Sequence, residues 1–176
     1  TVAPPLYAGP MSEPRRGLLF GVAAYTLWGA FPLYFPLLKP AAASEILAHR
    51  ILWSAIVMGL LVVALRRGRE FRAIWADRRR ALLLLSGGAL VTVNWMTYIW
   101  AVNSGRVVES SLGYFINPLV SVLMGIAVLG ERLRREQWLA VAMAAAAVAV
   151  LTVDYGRLPW VALVLAGTFG SYGLVK

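Results

Sequence analysis

VVESSLGYFINPLVSVLMGIAVL, residues 107–129, runs for 23 residues with one charged side chain, Glu109, near its start. A hydrocarbon core about 30 Å thick is crossed by roughly 20 apolar residues in a helix, so this stretch reads as a membrane span. Its polar residues are ordered. Ser110, Gly113, Tyr114, Asn117 and Ser121 stand at i, i+3, i+4, i+7 and i+11, which places all five along one helix face. Pro118 has no N–H to donate and its ring crowds the carbonyl of Tyr114, so a kink is expected beside Asn117 near mid-membrane.

Outward from this span the chain repeats the pattern. Of its 176 residues, 60% are hydrophobic and 14% charged, against about half and a quarter in soluble domains. Further spans are expected at 17–38, 46–65, 81–103, 138–153 and 159–175. Leu, Ala and Val dominate them and strict period-two alternation is absent, which favours helices over a β-barrel. The fold class is an all-α polytopic membrane protein with six transmembrane helices. The last two are short and must tilt little or recruit flanking residues.

Charge placement sets an orientation. One side would carry Arg15, Arg16, seven arginines of segment 66–80, Arg132, Arg134, Arg135 and Lys176, and the other only Lys39, Arg50, Arg106 and Arg157. The positive-inside rule puts the first set, and the N-terminus, in the cytoplasm. Blocks of this kind between apolar runs are unlike the basic, aromatic-studded face of a nucleic-acid binder. Within segment 66–80, Phe71, Ile74 and Trp75 have helical spacing, which suits a short helix on an anionic leaflet; a regulatory switch is the functional alternative, and the plainer reading is a solvated loop that fixes topology. Residues 1–16 are expected to be a disordered tail. Thr1 to Pro10 hold three prolines and no charge and also read as sequence upstream of a start at Met11. The rival reading, a signal peptide cleaved near Ala41-Ala42-Ala43, needs a shorter apolar run without Trp28, Pro32 and Pro36.

Enzymatic signatures are missing. The chain has no Cys and one His, His49, so thiolate chemistry and metal clusters are not expected, and no cofactor is implied. There is no nucleophile elbow, Walker loop or H-E-x-x-H. Gly167, Gly170 and Gly173 recur every three residues in an apolar helix and are read as serving close helix packing.

Polar groups within spans need a partner or a water-filled cavity. Tyr25, Trp28, Gly29 and Pro32 share a face of the first span and repeat the proline device of Pro118; the second adds Trp53, and the third Asn94 and Tyr98 one turn apart. With Ser110, Tyr114 and Asn117 these are candidates to line a mid-membrane substrate cavity. The plainer reading is that small and amide residues glue helices together. Nearer the outer surface, Glu45 and His49 lie one turn apart beside Arg50, and Glu109 opens its span near Asn103 and Arg106. Glu45, His49 and Glu109 are candidates for proton coupling, or ion pairs that fix helix ends. For Glu131 a helix-end role suffices.

A shift of 141 residues aligns Trp28-Gly29-Ala30-Phe31-Pro32-Leu33 with Phe169-Gly170-Ser171-Tyr172-Gly173-Leu174. If the first and sixth spans are equivalent, five spans separate the repeat starts, and an odd number inverts the second unit, as in secondary transporters.

The stretches Ala24–Gly29, Glu45–Ser54, Asn94–Asn103 and Glu109–Leu119, with Gly130-Glu131-Arg132-Leu133 and Gln137-Trp138, resemble the RarD proteins of the EamA group in the drug/metabolite transporter superfamily. The resemblance runs from about residue 16 to the end. It implies a bacterial inner-membrane permease of ten helices in two inverted five-helix repeats, named for an association with chloramphenicol sensitivity. Residues 17–153 then form the first repeat and 159–176 the start of a truncated second. About four helices are lacking, so a fragment or a half that pairs with another is expected. The function expected is a secondary transporter of small metabolites or drugs, with substrate among the first four spans and the bilayer as surroundings. The alternative is a non-transporting scaffold or regulatory subunit.

Overall fold

The computed structural model describes residues 13–130, 133–154, 156 and 158–175, and every regular element among them is helical. These are α1 (Glu13–Tyr34), a 3₁₀ turn (Phe35–Leu38), α2 (Ala43–Ala64), α3 (Gly68–Ala76), α4 (Arg78–Asn103), α5 (Val107–Leu129), α6 (Arg135–Asp154) and α7 (Trp160–Val175). Most of the expected tail, residues 1–12, lies outside the described residues, as do Glu131 and Arg132. Residues 13–16, placed in the tail by the sequence reading, form the first turn of α1, where Pro14 is tolerated because a first-turn N–H has no helical acceptor.

Among the described residues, five helices are long and apolar enough to cross a membrane: Arg16–Leu38, Ala43–Ala64, Arg78–Asn103, Val107–Val128 and Arg135–Asp154. The sixth apolar helix, α7, has 16 residues, about 24 Å at 1.5 Å per residue. Local chemistry sets the ends. Asp77 accepts from the N–H groups of Arg79 and Arg80 (3.0 and 3.2 Å) and so caps α4, satisfying donors with no helical partner. Gly130 closes α5 at φ 68°, and its N–H returns to the Ile126 carbonyl, a left-handed stop that glycine adopts without strain. The side chain of Gln137 accepts from the Arg134 N–H (2.8 Å) at the start of α6, half of a capping box.

The described residues up to Leu37 and those from Leu38 onward form two compact units. In the first, Tyr25 and Trp28 of α1 meet edge to face at 5.8 Å, and Phe31 stacks on Phe35 at 5.5 Å.

The second unit is built around α7, which packs on α5 and α4. Ile116, Ala162 and Ala166 form its buried centre, with Leu112, Val120 and Val148 against them. Close approach depends on small residues: a Cβ at Gly113 would sit 2.9 Å from Leu165 Cβ and 3.2 Å from the Ala162 carbonyl, and one at Gly170 3.1 Å from Val120. The packing stripe on α7 is therefore Ala162, Ala166 and Gly170, a four-residue repeat that brings backbones together. This corrects the sequence reading of Gly167, Gly170 and Gly173. Gly167 and Gly173 have nothing within 4 Å of a would-be Cβ, because a period of three drifts around a 3.6-residue helix.

Candidate functional site

The side chains proposed as a cavity lining divide into groups with different surroundings. Asn94 is buried, and its amide donates to the Leu165 carbonyl (2.9 Å) and the Thr168 hydroxyl (2.8 Å). It fastens α4 to α7. Ser110 is fully buried and donates to the carbonyl of Val107 (2.8 Å), while Gly113 is taken up by α7. The polar face of α5 thus runs from a packed end to an open edge, where Tyr114 is 54% exposed and Asn117 is half-buried. The Asn117 amide oxygen accepts from Ser121 at 3.5 Å.

At this open edge begins an aromatic row. Tyr114 meets Tyr98 of α4 edge to face at 6.0 Å, Tyr98 meets Trp95 at 5.7 Å, and the Arg50 guanidinium of α2 lies 3.7 Å from the centre of the Trp95 ring. Edge-to-face and cation–π geometry make each contact attractive beyond its buried area. The row joins three helices and ends in a positive charge. Trp53, one turn beyond Arg50, is exposed. Pro118 lies within α5; its missing N–H leaves the Tyr114 carbonyl without a helical donor, a second polar group beside Asn117. Tyr25, Trp28 and Pro32 belong to the α1 unit. Trp95 and Arg50 are site residues the sequence reading missed. Trp95 precedes Tyr98 by one turn, a spacing that points to it; Arg50 reads in the sequence as an outer charge, and only the packing of α2 on α4 brings it to Trp95.

The outer group has a definite structure. Glu109 is buried, accepts from the Val161 N–H at 3.2 Å, and pairs with Arg106 at 3.7 Å. Its carboxylate meets the positive end of the α7 dipole. Arg106 also lies 5.1 Å from the ring centre of Trp100, and Trp100 packs on Trp160 at 5.3 Å. The buried Asn103 amide oxygen has no hydrogen-bond partner among the described residues. Glu45 and His49 are exposed on the first turns of α2.

The model of the EamA-like transporter family matches residues 15–153. The chain belongs to that family. Protein RarD of Streptomyces exfoliatus is 54% identical over 165 residues, which cover 94% of this chain and 52% of that protein. Protein RarD of Escherichia coli (strain K12) is 43% identical over 164 residues, covering 93% and 55%. The chloramphenicol-sensitive protein RarD of Pseudomonas aeruginosa is 36% identical over 165 residues, covering 92% and 55%. The chain spans about half the length of the curated relatives it matches. No solved structure matches it. With five apolar helices of spanning length, this EamA member is a multi-pass membrane protein.

Proposed function

We propose that this EamA chain is part of a secondary transporter of the bacterial inner membrane, moving small metabolites or drugs by alternating access, with its N-terminus in the cytoplasm. The carrying observation is the row Trp95–Tyr98–Tyr114, which opens beside Asn117, the eleventh residue of the 23 in α5. A hydroxyl and an amide at that depth are costly in hydrocarbon and suited to a wetted substrate path. Aromatic faces supply apolar area and the polar groups fix orientation, a combination that fits an amphipathic solute. We take α7 as the sixth span and the opening helix of an inverted second repeat, after a first repeat at 17–153. The 141-residue alignment supports this, as does the greater length of the relatives. A second half, in the same chain or a pairing half-carrier, completes the proposed transporter, which does no chemistry on its substrate.

Chloramphenicol is the first solute to test, since one relative is named for sensitivity to it. In proteoliposomes that hold the transporter with its second half, Tyr114→Ala and Asn117→Ala should each lower transport about tenfold, ~1.4 kcal/mol of lost interaction. Unchanged transport in both removes the row from the site. The scaffold reading draws on Asn94, whose amide is taken up by α7; binding of chloramphenicol without net flux would favour it. Glu45, His49 and Glu109 remain the proposed proton-coupling groups, and flux independent of a pH gradient removes that role.

A further inference from the structure

Segment 65–77 joins two membrane-spanning helices with almost no slack. Three residues separate α2 from α3, with Arg66 in the left-handed region at φ 55°. One residue, Asp77, separates α3 from α4. Asp77 is extended at the end of α3 and caps α4 through two backbone N–H groups, so the chain turns sharply there. Helix α3 is therefore held at the level where α2 and α4 leave the bilayer.

Its composition is two-faced. Phe71, Ile74 and Trp75 share one face; Phe71 and Trp75 meet edge to face at 6.1 Å, yet each remains 48% exposed, and no residue of α3 is buried. Protein packing leaves this aromatic pair half uncovered. Around it stand seven arginines against Glu70 and Asp77, a net charge of +5 over residues 66–80. Glu70 pairs with Arg67 and Asp77 with Arg80, leaving Arg66, Arg69, Arg72, Arg78 and Arg79 exposed without an acidic partner among the described residues.

We infer that α3 is a lipid-binding helix: its aromatic face enters the headgroup boundary, and its unpaired arginines hold the headgroups of anionic phospholipids in the leaflet where α2 and α4 end. An aromatic face with basic flanks is the arrangement that binds such an interface, and each basic residue near an anionic surface adds to the attraction. Guanidinium forks take up phosphate oxygens in pairs.

The chain has no cysteine, so a nitroxide on an Ile74→Cys substitution reports α3 alone. The full chain is compared in phosphatidylcholine vesicles with and without phosphatidylglycerol. Oxygen accessibility of the label should rise with phosphatidylglycerol. The combined change Arg69→Gln, Arg72→Gln, Arg79→Gln should shift the docked-to-undocked ratio by about two orders of magnitude at low salt. Lysine at the same three positions should retain most of the response, which separates lost charge from lost folding. A label indifferent to phosphatidylglycerol, or a full response in the glutamine variant, overturns the inference. So does an equal rise in pure phosphatidylcholine on adding inorganic phosphate or an acidic peptide, since the partner would then be a soluble anion.

Discussion

Asn94 and Glu109 show what a single polar residue in a span can be for. Both could be picked from the sequence, because a polar group among apolar residues requires a partner. Their partners could not, since the Leu165 carbonyl lies 71 residues from Asn94 and the Val161 N–H 52 from Glu109, and only packing of α7 brings them together. Asn94→Ala removes two hydrogen bonds to α7 and should lower stability by about 1 kcal/mol, two bonds at the average of about 0.6 kcal/mol for interhelical bonds in membranes. Equilibrium unfolding in mixed micelles reads it. Glu109 separates the two expectations held for it. Glu109→Gln keeps an acceptor for Val161 but loses the charge facing Arg106 and the α7 dipole, a change of up to about 2 kcal/mol in a partly buried setting. A pure capping role gives a melting shift with the pH-gradient dependence of transport intact, whereas proton coupling abolishes that dependence in a variant that still binds substrate.

At the scale of helices, hydropathy located the elements well because crossing a bilayer imposes length on each one separately. The span expected at 107–129 coincides with α5, and that at 46–65 with α2 at 43–64. Segment 66–80 contains a short helix, α3, where the plainer sequence reading is a solvated loop. The choice of packing residues on α7 was less legible, since composition offers three glycines and only the neighbour decides which is used. Gly113→Ala forces a Cβ to 2.9 Å from Leu165 and should destabilise by about 1–3 kcal/mol as overpacking does. Gly167→Ala and Gly173→Ala meet no atom within 4 Å and should be neutral or stabilising by up to about 1 kcal/mol, the helix-propensity gain. Melting temperatures in one detergent compare all three. Equal losses at Gly113 and Gly167 would mean that α7 presents another face to α5.

For the molecule as a whole, direction follows from alternation. If α4, which is long and apolar enough to cross, does span, α3 at one end and the Ser104–Arg106 turn at the other lie on opposite sides of the membrane. In the proposed topology the positive-inside rule, applied to the arginines of 66–80, would make the α3 side cytoplasmic, and α2 would then place residues 39–42 outside with Ser104. Single-cysteine substitutions in the cysteine-free chain test this directly. Ala73→Cys lies on exposed α3 and Ser104→Cys in an exposed turn. With a membrane-impermeant maleimide on intact spheroplasts, Ser104→Cys should label at once and Ala73→Cys only after permeabilisation. The reverse pattern would invert the proposed topology and move the α3 lipid contact to the outer leaflet. Labelling of both positions in intact spheroplasts would mean that α4 does not cross. The aromatic row of Trp95, Tyr98 and Tyr114 would then no longer lie on a spanning α4, and the case for a mid-membrane substrate site would fall with it.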